Sequence, residues 1–158
     1  MAVLPIVLVP DPVLRAVAGP VERFDEELAR LAADMLETMY AAPGRGLAAP
    51  QVGVSLRLFV MDAGWREGAP DPQVLVNPRI EAASEAREAR EEGCLSIPDR
   101  IVRVSRPATV TLAWQDLDGA PRRGTFEGFA ATCVQHEIDH LDGILCTDLA
   151  EPAEAQPA

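Results

Sequence analysis

Two stretches of the chain repeat their apolar residues at the spacing of a helix face. After Phe24, apolar side chains recur in steps of three and four at Leu28, Leu31, Ala32, Met35 and Met39. This periodicity predicts an amphipathic, half-buried helix over about residues 25–41, with Asp25 as N-cap and Gly44 beyond its end. In the second stretch the recurring residues are Phe129, Cys133, His136, Glu137 and His140. We therefore predict a second helix over about residues 128–141, ended by Gly143.

Four stretches between these helices favour β-structure because they are rich in apolar, β-branched or aromatic residues. They are residues 57–62, 73–77, 109–115 and 122–126. Pro78 should stop the second of them, and Asp118-Gly119 is a hairpin signal between the last two. Residues 81–91 are ambiguous because their Ala, Glu and Arg content favours helix, but we interpret them as a solvated strand or loop. The order helix, strands, helix predicts an α+β fold with antiparallel sheets packed around a central helix.

The composition describes one globular domain. The chain has 158 residues, 48% hydrophobic and 25% charged, which is enough for a single buried core. We expect residues 1–150 to form this domain and residues 151–158 to be a disordered tail. No apolar run is long enough for a membrane span, and three cysteines give no paired disulfide framework. A cytoplasmic location is therefore expected.

Charge argues against a nucleic-acid-binding protein. The formal net charge is −11, all 14 basic residues are Arg, and the longest basic cluster is Arg122-Arg123. Such a chain repels phosphate backbones. The absence of Lys also excludes Schiff-base chemistry and a phosphate-loop lysine.

Both histidines of the chain lie in one H-E-x-x-H motif, His136 to His140. Residues at i and i+4 share a helix face, so the two imidazoles can reach one metal ion. Glu137 is then placed to handle the proton of a water on that metal. The alternative is a surface helix that happens to carry two histidines.

A catalytic metal site needs a third protein ligand. Cys94 is the best candidate because it lies in the segment Glu92-Gly93-Cys94-Leu95-Ser96, and a thiolate beside two imidazoles suits Zn²⁺ or Fe²⁺. Cys133 is a rival, three residues before His136, but we interpret it as an apolar wall residue near the metal. Cys146 is expected to be inert core.

A third segment, Gly44-Arg45-Gly46-Leu47-Ala48-Ala49-Pro50-Gln51, combines two glycines with small residues. It would let a substrate approach the backbone closely, and Gln51 would offer an amide donor. Taken alone, the segment is equally readable as a helix-to-strand loop in which the glycines serve only for turning.

These three segments, in this order, resemble the three signature motifs of the peptide deformylases. The resemblance extends to residues 11–15 and to the first helix, and covers about residues 5–150. It implies an enzyme that removes the formyl group from N-formylmethionyl peptides and releases formate. It also implies Fe²⁺ as the usual ion, with Zn²⁺, Ni²⁺ or Co²⁺ as substitutes.

Carried over to this sequence, the resemblance implies Cys94, His136 and His140 as metal ligands and Glu137 as general acid and base. It implies Gln51 and the backbone N–H of Leu95 as donors to the substrate oxygen. The expected partner is an N-formylmethionyl peptide, without direct nucleic-acid or membrane binding, and the chain is expected to be a monomer.

Several further roles are hypotheses. The methionine side chain would lie against Cys133, Phe129 and Leu95. Glu92 or a nearby carbonyl would orient a histidine, and Asp139 would pair with an arginine such as Arg106. Each charge is equally readable as an ordinary solvated one.

Arg45 departs from the family pattern, which has an apolar residue at this place near the substrate channel. It either favours acidic residues downstream of the formylmethionine or points to solvent. Three other functions stay open: a paralogue with an altered substrate, an H-E-x-x-H zinc peptidase with Glu151 or Glu154 as third ligand, and a metal-stabilised module that binds without turnover.

Overall fold

Two α-helices and seven β-strands make up the part of the chain that the computed structural model describes, residues 2–151. In chain order they are α1 (Glu26–Ala41), β1 (Gly46–Ala48), β2 (Leu58–Met61), β3 (Gln73–Ala83), β4 (Arg87–Cys94), β5 (Ile97–Pro107), β6 (Thr109–Gln115), β7 (Pro121–Glu127) and α2 (Gly128–Leu141). Short 3₁₀ turns lie at Pro12–Arg15, Ala49–Val52, Trp65–Glu67 and Cys146–Leu149. None of the described helices is long and apolar enough to cross a membrane.

The strands form two antiparallel sheets. Five of them pair in the order β1-β2-β3-β6-β7, and β4 pairs with β5 in a separate two-stranded sheet. The predicted α+β class with antiparallel sheets is therefore confirmed. Because β1 is at the edge of the larger sheet, one side of its backbone is open to a further strand.

Strand β2 is the centre of the core because both of its faces are buried. Phe59 and Met61 pack in the cluster that contains the apolar residues of α2, whereas Leu58 and Val60 pack in the cluster that contains those of α1. All four side chains are at most 1% exposed. Because alternate side chains of a strand point to opposite faces, the sheet packs against α2 on one face and against α1 on the other.

Helix α2 lies between the five-stranded sheet and the β4–β5 hairpin, and ten of its fourteen residues are buried. Its last turn is held by the N-terminal part of the chain. The carbonyl of Leu141 accepts hydrogen bonds from the amide of Ala18 at 2.8 Å and from Nη1 of Arg57 at 3.0 Å. Gly143 follows at φ +74°, and a Cβ there would lie 2.4 Å from the carbonyl oxygen of Arg15. Glycine is therefore required to end the helix here.

Both predicted helices are confirmed, α1 with the expected cap: Asp25 accepts a hydrogen bond from the amide of Leu28 at 3.1 Å. The prediction that Pro78 stops a strand is wrong. Strand β3 continues to Ala83 because a register shift follows Val76 and Asn77 adopts φ +48°, so the proline lies at a bulge.

Of the ambiguous residues, 81–83 end β3, 84–86 connect the strands and 87–91 belong to β4, which agrees with the interpretation as a solvated strand or loop. Strands β1 and β5 were not predicted. The disordered-tail prediction covers residues 151–158, of which only Glu151 lies within the described residues.

Candidate active site

The structure brings the three predicted metal ligands together. Cys94 is the last residue of β4, and His136 and His140 lie one turn apart on α2. Nε2 of His140 is 3.2 Å from Nε2 of His136 and 3.4 Å from Sγ of Cys94. The three ligand atoms all lie within 4.8 Å of one another, which is close enough for one cation to contact them all.

A buried charge network holds the first histidine. Oε1 of Glu92 lies 3.0 Å from Nδ1 of His136, and Arg106 donates to both oxygens of Glu92 at 2.7 and 2.9 Å. Nη1 of Arg106 donates to Asp139 at 2.8 Å. These distances match the sequence-based hypotheses for Glu92, Asp139 and Arg106, and they leave Nε2 of His136 facing the cysteine.

Charge and burial oppose each other in this network. Burial disfavours the ionised form of Glu92, but the hydrogen bonds from Arg106 and His136 outweigh burial and lower the pKa of Glu92. The same pairing raises the pKa of Arg106, although its side chain is only 6% exposed. Glu92 and Arg106 therefore form an ion pair, which holds the imidazole of His136 through its Nδ1.

His140 differs from His136 in its surroundings. Burial, with the nearby His136 as the next cause, lowers the pKa of His140 well below its ordinary value. The neutral imidazole that results is the form that binds a metal. Its Nδ1 is buried without a hydrogen-bond partner among the described residues.

Glu137 is buried beside the ligands and is 4% exposed. Burial raises the pKa of Glu137 to about 7. Its Oε1 is buried and has no hydrogen-bond partner among residues 2–151. A carboxyl group in this state can both accept and release a proton near neutral pH.

Gly46 leaves room for that carboxyl group. A Cβ at Gly46 would lie 2.5 Å from Oε2 of Glu137 and 3.0 Å from Sγ of Cys133. Gly46 is the first residue of β1. The segment from Gly44 to Gln51, which the sequence alone also allowed to be a turning loop, is therefore partly a strand. The close approach of this backbone to Glu137 leaves no room for a side chain at Gly46.

The amide of Gln51 is held on both sides. Its Oε1 accepts a hydrogen bond from the amide of Ala48 at 3.0 Å, and its Nε2 donates to Oγ of Ser96 at 3.1 Å. Nε2 also lies 3.7 Å from Sγ of Cys94. The amide nitrogen of Gln51 therefore lies beside the ligand group, with one of its N–H donors engaged by Ser96. Ser96, buried two residues after the cysteine, is a contact that the sequence analysis missed.

A cavity of about 540 Å³ opens in front of these groups. It is lined by Cys94, His136 and Glu137 and by the three predicted wall residues, Leu95, Phe129 and Cys133. Thr132, Ile97 and Ile101 also line it and were not predicted. Cys146 does not line the cavity; it is buried beside His136 and Glu92, in a cluster with Cys94, Val102 and Val104.

The arrangement gives no support to the peptidase hypothesis. Glu151 lies 3.8 Å from the guanidinium of Arg103 and does not belong to the ligand group. Glu154, the other candidate, lies outside the described residues. Within the described part of the chain, the third ligand atom beside the two imidazoles is the sulfur of Cys94.

The sequence and the fold are similar to those of known proteins. The sequence profile of the family described as polypeptide deformylase matches residues 3–156. The peptide deformylase of Brucella suis is 53% identical over 149 residues, which cover 94% of this chain and 85% of the relative.

Solved structures give the same result. The chain superimposes on the peptide deformylase of Thermotoga maritima with a TM-score of 0.92 and 42% identity, covering 96% of this chain and all of the other. It superimposes with a TM-score of 0.88 on a class I type b peptide deformylase from Acinetobacter baumannii that has Met-Ala-Ser bound. That pair is 36% identical over 94% of this chain and 98% of the relative.

Proposed function

Because the chain belongs to the polypeptide deformylase family, we propose that Cys94, His136 and His140 hold the divalent cation of a deformylase active site. Members of this family are metal-dependent hydrolases that remove N-formyl groups from nascent peptides. The observation that carries the proposal is the convergence of one sulfur and two imidazole nitrogens within 4.8 Å, beside a buried carboxyl group.

The residues present fit such a cation. One cysteine sulfur and two imidazole nitrogens form a donor set that suits Fe²⁺ or Zn²⁺. We propose Fe²⁺ as the resident ion, with Zn²⁺, Ni²⁺ or Co²⁺ as substitutes. When bound, the ion supplies Lewis acidity, which lowers the pKa of water and polarises the formyl carbonyl. Glu92 and Arg106 keep Nε2 of His136 directed at it.

Glu137 is the general acid and base of the proposal. Its Oε1 is buried beside the ligands and is not engaged by another described residue. It is therefore available to take a proton from the attacking water and to pass that proton to the departing amine. Gly46 keeps the space that the carboxyl group needs for this transfer.

The oxygen of the formyl group gains negative charge as its carbon becomes tetrahedral. We propose that Nε2 of Gln51 and the backbone N–H of Leu95 donate to that oxygen. Gln51 is held by Ala48 and Ser96, so its donors need little rearrangement in the reaction. Each donor of this kind is typically worth about 3 kcal/mol of transition-state stabilisation.

The substrate is a peptide in our proposal because an open strand edge borders the cavity. An extended peptide can pair with the free side of β1 while its first side chain enters the cavity. Leu95, Phe129 and Cys133 offer an apolar wall for methionine. The Met-Ala-Ser bound by the Acinetobacter relative is of the same class.

We propose that residues 1–150 form a single catalytic domain that acts as a monomer. We expect it in the cytoplasm, where formylated nascent chains are made. A non-catalytic binding module is disfavoured because such a site has no use for a buried carboxyl group in the position of Glu137.

The test is formate release from formyl-Met-Ala-Ser, with the acetyl peptide as control. Cys94→Ala should lose the metal, whereas Cys133→Ala, a matched removal of a nearby sulfur, should keep it. Glu137→Ala should keep the metal and lose turnover. Stoichiometric metal in Cys94→Ala together with metal loss in Cys133→Ala would overturn the ligand assignment. Cleavage of internal peptide bonds would favour a peptidase, and metal binding without any turnover would favour a binding module.

A further inference from the structure

Two arginines place positive charge on one wall of the active-site cavity. Arg45 precedes β1, and Arg66 lies in the 3₁₀ turn Trp65–Glu67. The cavity residues on this wall are Pro43, Gly44, Arg45, Gly46, Gln51 and Arg66, and none of them is a carboxylate. Arg66 forms no ion pair with any residue between 2 and 151.

The opposite wall, contributed by β4 and β5, has a different charge. Glu91 and Asp99 line the cavity there together with Arg100. The cavity is therefore cationic on one side and mixed on the other. A charged side chain of a bound peptide meets a different potential depending on the wall that it faces.

The side chain of Arg45 packs at the cavity and does not extend freely into solvent. Its guanidinium carbon lies 4.9 Å from the ring centroid of Phe129, and its side chain is 28% exposed. The turn beyond it is tied to the same segment because Nε1 of Trp65 donates to the carbonyl of Gly44 at 2.8 Å. The interpretation of Arg45 as a residue that simply points to solvent is therefore wrong.

Arg45 has donors left for a ligand. Among the described residues it makes one side-chain hydrogen bond, from Nη2 to Glu67 at 2.6 Å, although a guanidinium has five N–H donors. The Glu67 side chain is 60% exposed. Exposed ion pairs contribute little net free energy, so a carboxylate of the substrate can share or replace this contact.

We propose that Arg45 and Arg66 select formylmethionyl peptides that carry an acidic side chain at one of the two residues after the methionine. The inference rests on the proposed binding of a peptide along β1. Arg45 is one residue from Gly46, which contacts the general base. Successive residues of a strand are about 3.3 Å apart, so this wall faces the part of the peptide just beyond the formylmethionine.

The experiment uses metal-loaded enzyme and peptide amides, which lack a terminal carboxylate. Formyl-Met-Xaa-Ala-Ala and formyl-Met-Ala-Xaa-Ala are compared with Xaa as Asp, Asn or Lys. At one of the two positions we expect kcat/KM for Asp to exceed that for Lys by about 1.5- to 5-fold in 50 mM salt, the range of partly exposed ion pairs. The ratio should approach unity in 0.5 M salt because such pairs are screened.

Substitutions of the arginines test which wall of the cavity selects the charge of the peptide. Arg45→Gln and Arg66→Gln should each lower the Asp-to-Lys ratio, and the double variant should abolish it. Arg23→Gln, which removes the same charge from an exposed residue outside the cavity, should leave both the ratio and the basal rate unchanged. A loss of the ratio in Arg100→Gln as large as in the double variant would assign the discrimination to the opposite wall and overturn the proposal.

The neutral peptide formyl-Met-Ala-Ala-Ala amide separates this inference from the proposed function. If the enzyme releases no formate from it, the active-site proposal fails. If it turns over the neutral peptide but treats Asp and Lys alike at both positions, only the charge selection fails. Arginine variants that keep the ratio but weaken co-sedimentation with ribosomes would mark the wall as an RNA contact, which also overturns the inference.

Discussion

Replacing Gly46 by alanine should slow the reaction without removing the metal. The new Cβ would lie 2.5 Å from Oε2 of Glu137, and ordinary van der Waals contact begins at 3.4 Å. The carboxyl group must therefore move by about 0.9 Å, and a misplacement of about 1 Å can cost about 10²-fold in rate. We expect kcat for formyl-Met-Ala-Ser to fall by about that factor.

Gly44→Ala is the matched control because it adds the same methyl group two residues away. Its Cβ would lie 2.9 Å from Cδ1 of Leu95, the end of a flexible side chain. A change of rotamer relieves that contact, so kcat should change by less than about threefold. Metal content and thermal unfolding should match the parent in both variants.

A double-mutant cycle gives the sharpest form of the test. In a Glu137→Gln background the general base is already lost, so Gly46→Ala should add little to the loss of kcat. Full metal content together with more than a fifth of the parent kcat in Gly46→Ala would refute the predicted displacement of Glu137. An undiminished effect of Gly46→Ala in the Glu137→Gln background would refute it as well.

Three stability predictions follow from the packing around α2, each measured by urea unfolding of the metal-free protein. Arg106→Met removes the guanidinium partner of the buried Glu92 and should lower the free energy of unfolding by about 3–5 kcal/mol. Adding Glu92→Gln should restore part of this loss, and additive losses in the double variant would contradict the pairing. Arg57→Ala removes a charged donor from the carbonyl of Leu141 and should cost about 1.5–3 kcal/mol, with no change expected for an equally exposed surface arginine. Phe59→Ala opens the centre of the sheet and should cost about 3–5 kcal/mol; a loss below 1 kcal/mol would mean that the core collapses around it.

The two helices and the shared face of the two histidines could be predicted because their signals are local. The steps of three and four from Phe129 to His140 give both the limits of α2 and the face that carries the imidazoles. The Asp25 cap is likewise a local pattern. Each of these features depends on residues within a few positions of one another, so the sequence displays them directly.

The β4–β5 hairpin was harder to predict because charged residues interrupt the alternation of apolar and polar side chains that is typical of a strand. Val102 and Val104 are buried in alternation with exposed residues, yet the next inward position is Arg106. Its burial depends on Glu92 and Asp139, which are 14 and 33 residues away. Hydropathy along the chain cannot show that a charge is neutralised by a distant partner.

The contact that Ser96 makes with Gln51 was missed for the same reason, since 45 residues separate the two. Strand β1 was missed because three residues of small or apolar type give too short a pattern. The resemblance to a known family could supply roles for Gln51 and Leu95, but it could not supply these contacts.

The attachment of the last turn of α2 to the N-terminal segment bears on how the enzyme is made. The amide of Ala18 donates to the carbonyl of Leu141, so residue 18 must wait until residue 141 has been synthesised before that contact can form. Pairing of residues so far apart is slow in folding and closes late. A ribosome that pauses before residue 136 displays a chain that contains Cys94 but neither histidine. An enzyme that acts on other nascent chains therefore gains its own proposed metal site only after residue 140 has been synthesised.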